Sequence, residues 1–185
     1  MDKSVQERYS YKDVLEFWFA EENKPKWFDR NDNFDRVLAE KFTNLYQTIV
    51  LGLLDHWKES ALGSLALIIV LDQFSRNIFR GLPQSYAMDS MALSIAKQAI
   101  AKKMDEGLSV DHKTFLYMPL MHSENLDDQK LCVQLFKDRP KERHYAKMHL
   151  KIIKRFGRFP HRNNILGRKS TKEELQFLMT LNSSF

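Results

Sequence analysis

The stretch that most constrains the fold is residues 62–81, LGSLALIIVLDQFSRNIFRG. Nine of the ten residues from Leu62 to Leu71 are small or apolar, and the run then ends on Asp72. Six polar or ionisable residues follow in nine positions: Asp72, Gln73, Ser75, Arg76, Asn77 and Arg80. On one helix, Asp72, Arg76 and Arg80 stack at four-residue steps, while Gln73, Asn77 and Arg80 share the neighbouring stripe. Such a helix is expected to be buried at its start and to carry a dense polar patch at its end. Function is to be sought in that patch.

Around this stretch the chain punctuates itself at helical intervals. Ser10 with Asp13 resembles a capping box and opens a helix with Tyr11, Val14, Leu15 and Trp18 on one face. The loop ENKPKWFDRND ends it. Asp32 is the expected N-cap of the next helix, where Phe34, Val37, Leu38, Phe42, Leu45 and Ile49 keep helical spacing up to Gly52. After Gly81 and Pro83, Asp89 is expected to cap a helix burying Ala92, Ile95, Ala96, Ala99 and Ile100. Residues 111–121 read as a helix disturbed by Pro119, and Asn125 with Asp128 opens one running to Lys137. A helix over 141–156 is expected to bury Tyr145, Met148, Ile152 and Phe156 and to be capped by Gly157. Ser170 and Glu173 give a capping box for the last helix. Strand-like alternation appears nowhere, and six glycines and five prolines are too few for the turns of a β fold. The expected fold class is all-α, built of irregular antiparallel helical hairpins with about seven to nine helices.

At 185 residues, one domain over 1–185 is the default. The opening MDKSVQERYSYKD is polar and mixed in charge, unlike a secretory signal. The longest apolar stretch is about ten residues, half of what spanning a bilayer requires. No membrane association is therefore expected. The lone Cys132 excludes an internal disulfide and a cysteine-rich metal site. A soluble, cytoplasmic protein is expected.

Charge is distributed unevenly. Residues 143–172 contain ten Lys or Arg and no acid, leaving nineteen basic residues against twenty-four acidic ones elsewhere. Such an arm either docks onto acidic parts of its own fold or meets an anion or nucleic acid. Charge alone favours the first.

Three polar clusters could carry chemistry. The first is Asp72, Gln73, Arg76, Asn77 and Arg80. MPLMHSENLDDQ supplies the second, with His122, Ser123, Glu124, Asp128 and Gln129, and HLKIIKRFGRFPHRN the third, with His149, Arg155, Arg158, His161, Arg162 and Asn163. A buried ionised carboxylate at Asp72 requires a partner, so an ion pair with Arg76 or a third-cluster arginine is expected, with a general-base role as the alternative. His149 lies on an apolar stripe and reads as a core histidine. His122 and His161 sit at loop edges, where exchange with solvent suits acid–base work.

No histidine pair has metal-ligand spacing and the nearby arginines repel a cation, so neither metal nor cofactor is expected. Cys132, inside KLCVQLF, has no histidine within a helical turn, and no GxSxG elbow or glycine-rich phosphate loop occurs. Arginine remains. Arg76, Arg80, Arg155, Arg158 and Arg162 recur beside Asn and Gln, and planar guanidinium groups suit carboxylate or phosphate. Phe156 and Phe159 could stack on a base, but the mixture of acids among these bases disfavours nucleic acid.

LDQFSRNIFRG, FLYMPLMHSE and RFGRFPHRN followed by LGRKSTKEE together resemble Domain of Unknown Function family 924, with VLEFWF extending the resemblance over nearly the whole chain. The resemblance implies an all-helical fold similar to tetratricopeptide repeats and implies no activity. Its motif generally reads LDQFPRN, whereas Ser75 stands here in place of the proline. Motif identity alone carries the family pattern onto Asp72, Gln73, Arg76, Asn77, His122, Glu124, Arg155, Arg158, His161 and Arg162.

The leading expectation is a helical binding domain in which the three clusters meet. Arg76, Arg155, Arg158 and Arg162 would hold the anionic group of a small molecule or peptide, and Asp72 and Glu124 would orient them. A hydrolase or lyase using His122 or His161 with Glu124 or Asp72 is the main alternative. A protein–protein adaptor with a structural ion-pair network, and RNA binding through 143–172, complete the set.

Overall fold

The computed structural model describes residues 8–180 and 183, and among them every regular element is helical and none is a strand. The α-helices are α1 (Tyr11–Phe19), α2 (Asp32–Val50), α3 (Ala61–Ile68), α4 (Ser75–Ile78), α5 (Asp89–Ala101), α6 (Val110–His122), α7 (Leu126–Leu135), α8 (Pro140–Phe156) and α9 (Lys172–Leu178). The all-α expectation is met. The contacts divide the chain into two compact units. The first comprises residues up to Arg80 with Gln84–Pro119; the second comprises Gly81–Pro83 with residues from Leu120 onward.

In the first unit, α3 is enclosed by α1 and α5, and α4 lies against α2. Large aromatic rings fill the space between them. Trp18 meets Phe74 and Phe115 at 5.4 Å each, and Phe42 meets Phe74 at 4.7 Å. Offset and edge-on pairs like these add to what area burial alone supplies. By length and composition alone the helical segment Ala61–Ile78, which includes Asp72 and Arg76, could cross a membrane, but 72% of it is buried inside the protein.

The run is not the single α-helix that its spacing suggests. Between α3 and α4, residues Ile69–Phe74 wind as a π-helix, one residue wider per turn. The Ser75 N–H accordingly reaches back to the Val70 carbonyl. The Ser75 hydroxyl donates to the Leu71 carbonyl at 2.7 Å, so the wider turn leaves that oxygen satisfied. Ser75, at the position where the family motif has proline, thus supplies both an N–H and a hydroxyl to the break.

In the second unit, α7 and α8 pack side by side, and α9 lies against a short 3₁₀ turn at Pro160–Arg162. Ile152, Ile153 and Phe159 form its core, with Phe156 and Phe177 packed against them. Tyr145 is 46% exposed, contrary to the expectation that it is buried; the inward face of α8 is Ala146, His149, Ile152 and Ile153. The buried stripe is thus offset by one residue from the expected one. Gly157, at φ +69°, ends α8 in the left-handed conformation that favours glycine.

Several helix starts shift by one residue. Asn31 caps α2 by accepting from the Phe34 N–H at 2.9 Å, and Asp32 is already helical. Asp89 likewise lies inside α5 and does not cap it, because its carboxylate is engaged by Arg76. Thr171 and Glu174 form the capping box of α9, while the expected Ser170 instead accepts from Asn163 Nδ2 at 3.1 Å. At α1, Ser10 accepts from the Lys12 N–H.

Candidate functional site

The polar end of the central run lies in the first unit. Asp72 is fully buried, and its carboxylate accepts from Gln73 Nε2 at 2.6 Å and lies 3.2 Å from Arg76 Nη1. Gln73 Nε2 also reaches the Met118 sulfur at 3.3 Å. Arg76 donates to the Asp72 carbonyl at 2.7 Å, the Ser85 carbonyl at 3.5 Å and both Asp89 carboxylate oxygens at 2.9 and 3.1 Å. Burial works against its charge, but Asp72 and then Asp89 outweigh it, so the guanidinium pKa is raised. Its plane also lies over the Tyr86 ring at 5.5 Å. Arg76 is thus clamped bidentately to the partly exposed Asp89 while one of its Nη atoms lies beside the buried Asp72 carboxylate.

Arg80 does not continue the Asp72–Arg76 stack. It follows the end of α4 and grips Asp35 of α2 through two bonds, 2.6 and 2.9 Å long. Asn77 donates to the same carboxylate at 2.7 Å. Asp35 is therefore the acceptor that fastens the polar end of this segment onto α2.

The second and third clusters both belong to the second unit. Gln129, buried on α7, donates to the carbonyls of Met121 at 2.6 Å and Ser123 at 2.7 Å, fixing the turn that presents His122 and Glu124. The Ser123 hydroxyl donates to Asp128 at 2.8 Å, and Asn125 caps α7. Glu124 accepts from the Phe159 N–H at 2.7 Å and from both Arg168 Nη atoms at 2.7 and 3.0 Å. Arg168 Nη2 also donates to the Phe159 carbonyl at 3.0 Å. The pair therefore holds both backbone groups of Phe159. Burial alone would raise the Glu124 pKa, but the Arg168 and Phe159 hydrogen bonds hold it below the usual carboxylate range.

Phe159 is the hub around which the ionisable side chains gather. Its ring lies 5.7 Å from the His149 ring and 5.7 Å from that of His161. Arg162 sits over it at 4.6 Å, and His122 lies 6.3 Å from His149. His149 is 5% exposed, whereas His122 and His161 are half-buried. His149 Nδ1 lies 2.9 Å from the Tyr145 carbonyl; a carbonyl only accepts, so Nδ1 carries the proton. Burial drives the His149 pKa down to about 3 against that bond, with His122, Arg162 and His161 adding to the effect. At neutral pH His149 is uncharged.

The other expected arginines meet acids of α9. Arg155 pairs with Glu173 at 2.8 Å on the exposed side. Arg158 grips Glu174 through two bonds, 2.6 and 2.8 Å long, and donates to the Lys169 carbonyl. The Arg158 bonds, with the Thr171 N–H, push the Glu174 carboxyl down to about 2 despite burial. Sequence spacing does not single out Arg168, Glu173, Glu174, Asp35 or Asp89 as ion-pair partners; it offers Glu173 and Asp89 only as capping residues. Arg168 lies within LGRKST, inside an arm rich in base and devoid of acid. Among the described residues, no group of histidine, cysteine and carboxylate side chains has the arrangement of a metal site.

The family described as bacterial protein of unknown function (DUF924) matches residues 14–182. The chain belongs to the DUF924 family. A solved structure of a protein of unknown function from Agrobacterium tumefaciens, ATU0120, is similar to it, with 39% identity and a TM-score of 0.87. The similarity covers 91% of this chain and 96% of that one. Among curated proteins nothing matches. The family's description assigns no role to any residue of the chain.

Proposed function

We propose that this DUF924 protein is a helical binding domain whose second unit receives the anionic group of a small molecule or peptide. One observation carries the reading: the imidazoles of His122, His149 and His161 gather with Arg162 about the Phe159 ring. Two of those imidazoles are half-buried, so solvent reaches the cluster. The imidazoles of His122 and His161 and the Arg162 guanidinium, gathered about an aromatic ring, are groups of the kind that bind an oxyanion. Glu124 is close, but Arg168 and the Phe159 N–H engage it.

Two further observations narrow the reading. Glu124 is held ionised by Arg168 and the Phe159 N–H, which makes it unsuited to give up a proton as a general acid. Arg155, Arg158 and Arg168 face acids of their own fold, which favours binding of a small anion over a nucleic acid backbone. The Asp72–Arg76–Asp89 clamp reads separately, as a structural network of the first unit.

Thermal unfolding against phosphates, carboxylates and acidic peptides at constant ionic strength tests the proposal. A ligand at a hundredfold its Kd adds about 2.7 kcal/mol, which is roughly 5–10 °C for a chain of this size. At least one anion is expected to stabilise saturably, and His161→Gln to weaken the effect. A uniform salt response, unchanged by His122→Gln or His161→Gln, would refute it.

A further inference from the structure

The arginines and lysines of the basic arm have different fates. From Leu120 onward the chain carries fourteen Lys and Arg against seven Asp and Glu, so the excess positive charge of the protein lies in the second unit. Three arginines of the arm are engaged by acids of the fold: Arg155 by Glu173, Arg158 by Glu174 and Arg168 by Glu124. The α8 lysines are not. Lys147, Lys151 and Lys154 are exposed, and among the described residues no carboxylate pairs with them. At helical pitch the three share one narrow stripe, opposite the buried Ala146, His149, Ile152 and Ile153. The Arg158 bond to the Lys169 carbonyl and the Arg155–Glu173 pair bring Lys169 and Lys172, also exposed, to the C-terminal end of the same helix.

From this division we infer that the lysine face of α8 docks on the phosphate backbone of a nucleic-acid duplex, whatever its sequence. This face lies on the side of α8 opposite His149, and the inference stands independently of the anion reading at Phe159. The acids mixed among the bases disfavour nucleic acid at the arginines, which they neutralise. They do not reach these lysines, whose field is left uncancelled. Lysine is a point charge without the planar fork that reads a base edge, so its contacts go to phosphate and carry no sequence preference. Charge density selects the duplex. From Lys147 to Lys154 the helix rises about 10 Å, along which a duplex offers about six phosphate charges and one strand about half as many. A single strand also calls for aromatic side chains to stack its bases, and the stripe has none. An acidic protein would gain only exposed ion pairs of little worth each, whereas every phosphate neutralised releases a counterion.

Fluorescence anisotropy of a short labelled DNA duplex titrated with the full chain tests this. With three phosphates neutralised, Kd is expected to rise roughly fortyfold as salt goes from about 50 to about 200 mM. Combining Lys147→Gln, Lys151→Gln and Lys154→Gln is expected to weaken binding by about tenfold or more at the lower salt and to remove most of the salt dependence. The Tm is expected to hold, because the stripe faces solvent. Arginine at the same three positions is expected to keep the affinity. Duplexes of unrelated sequence are expected to bind alike, and the matching single strand more weakly. No binding at the lower salt, a glutamine variant that binds as well as the parent, a tighter single strand or a preference for one sequence would each overturn the inference. Polyglutamate that displaces the duplex at equal charge would assign the face to an acidic protein and overturn it as well.

Discussion

Arg76→Met is the substitution whose cost follows most directly from the structure. Methionine keeps most of the aliphatic stem and removes the charge, so packing is largely retained. What is lost is the partner of a carboxylate with 0% exposure, since Asp72 lies 3.2 Å from Arg76 Nη1. Asp72 would retain its bond from Gln73 at 2.6 Å, and Asp89 would lose both of its bonds from the guanidinium. Removing one partner of a fully buried pair costs about 3–5 kcal/mol. Because 20% of the Arg76 side chain is exposed, water relieves part of that, and about 3 kcal/mol is expected. That corresponds to a fall in Tm of roughly 6–12 °C. Asp72→Asn keeps the shape and the Arg76–Asp89 pair, and is expected to cost only about 1–2 kcal/mol. In the double variant the stranded carboxylate is gone, so the losses should fall short of their sum by about 1–2 kcal/mol. Thermal and urea unfolding by circular dichroism measure all three. A Tm change under roughly 2 °C for Arg76→Met, or simple additivity, would refute the clamp as a source of stability.

Acid should destabilise the second unit through His149, whose neutral form is favoured by folding and whose pKa is pushed down to about 3. The unfolded imidazole takes up a proton near its ordinary value, so stability falls as pH drops from about 6.5 toward 3, by up to about 4 kcal/mol; His149→Gln should flatten that slope in urea titrations. Gly63→Ala should lower stability by about 2 kcal/mol or more, because the added Cβ would lie 2.2 Å from the Trp57 carbonyl oxygen; an unchanged Tm would contradict this. Cys132 is buried and its pKa is pushed up to about 12, so thiol reagents should modify it only as fast as the fold opens. Rapid labelling of the native protein would count against that burial.

Helical periodicity and punctuation made the fold class legible. Within single helices apolar residues recur at spacings that only a helix turns into a face, as Phe34, Leu38, Phe42, Leu45 and Ile49 do on α2, and all five are buried. Caps were legible only to within a residue. Asn31 and Asp32, or Ser170 and Thr171, are equally able cap residues by type, and tertiary demands choose between them. Asp89 is drawn away by Arg76, and Ser170 by Asn163. The π-helical turn at Ile69–Phe74 was not legible, because a segment buried on every side leaves no periodic contrast to reveal its pitch.

Of the polar groups, the ion pair between Asp72 and Arg76 could be read from their four-residue spacing, and the buried state of His149 from its apolar stripe. The partners of Arg80, Arg155, Arg158 and Glu124 could not. Each pair joins residues at least 16 positions apart in the chain, and no local pattern links such positions. The gathering of His122 and His161 about Phe159 belongs to the same class, since it depends on how the loop after α8 is latched by Glu124 and Arg168.

The histidine ring signals of the full chain, followed by NMR during titration with carboxylate and phosphate, test the binding account most directly. The account predicts saturable shifts of the His161 and His122 resonances with one common Kd, and no such response from the solvent-facing His56. Rings that stay still under every anion, or that drift linearly with His56, would contradict it.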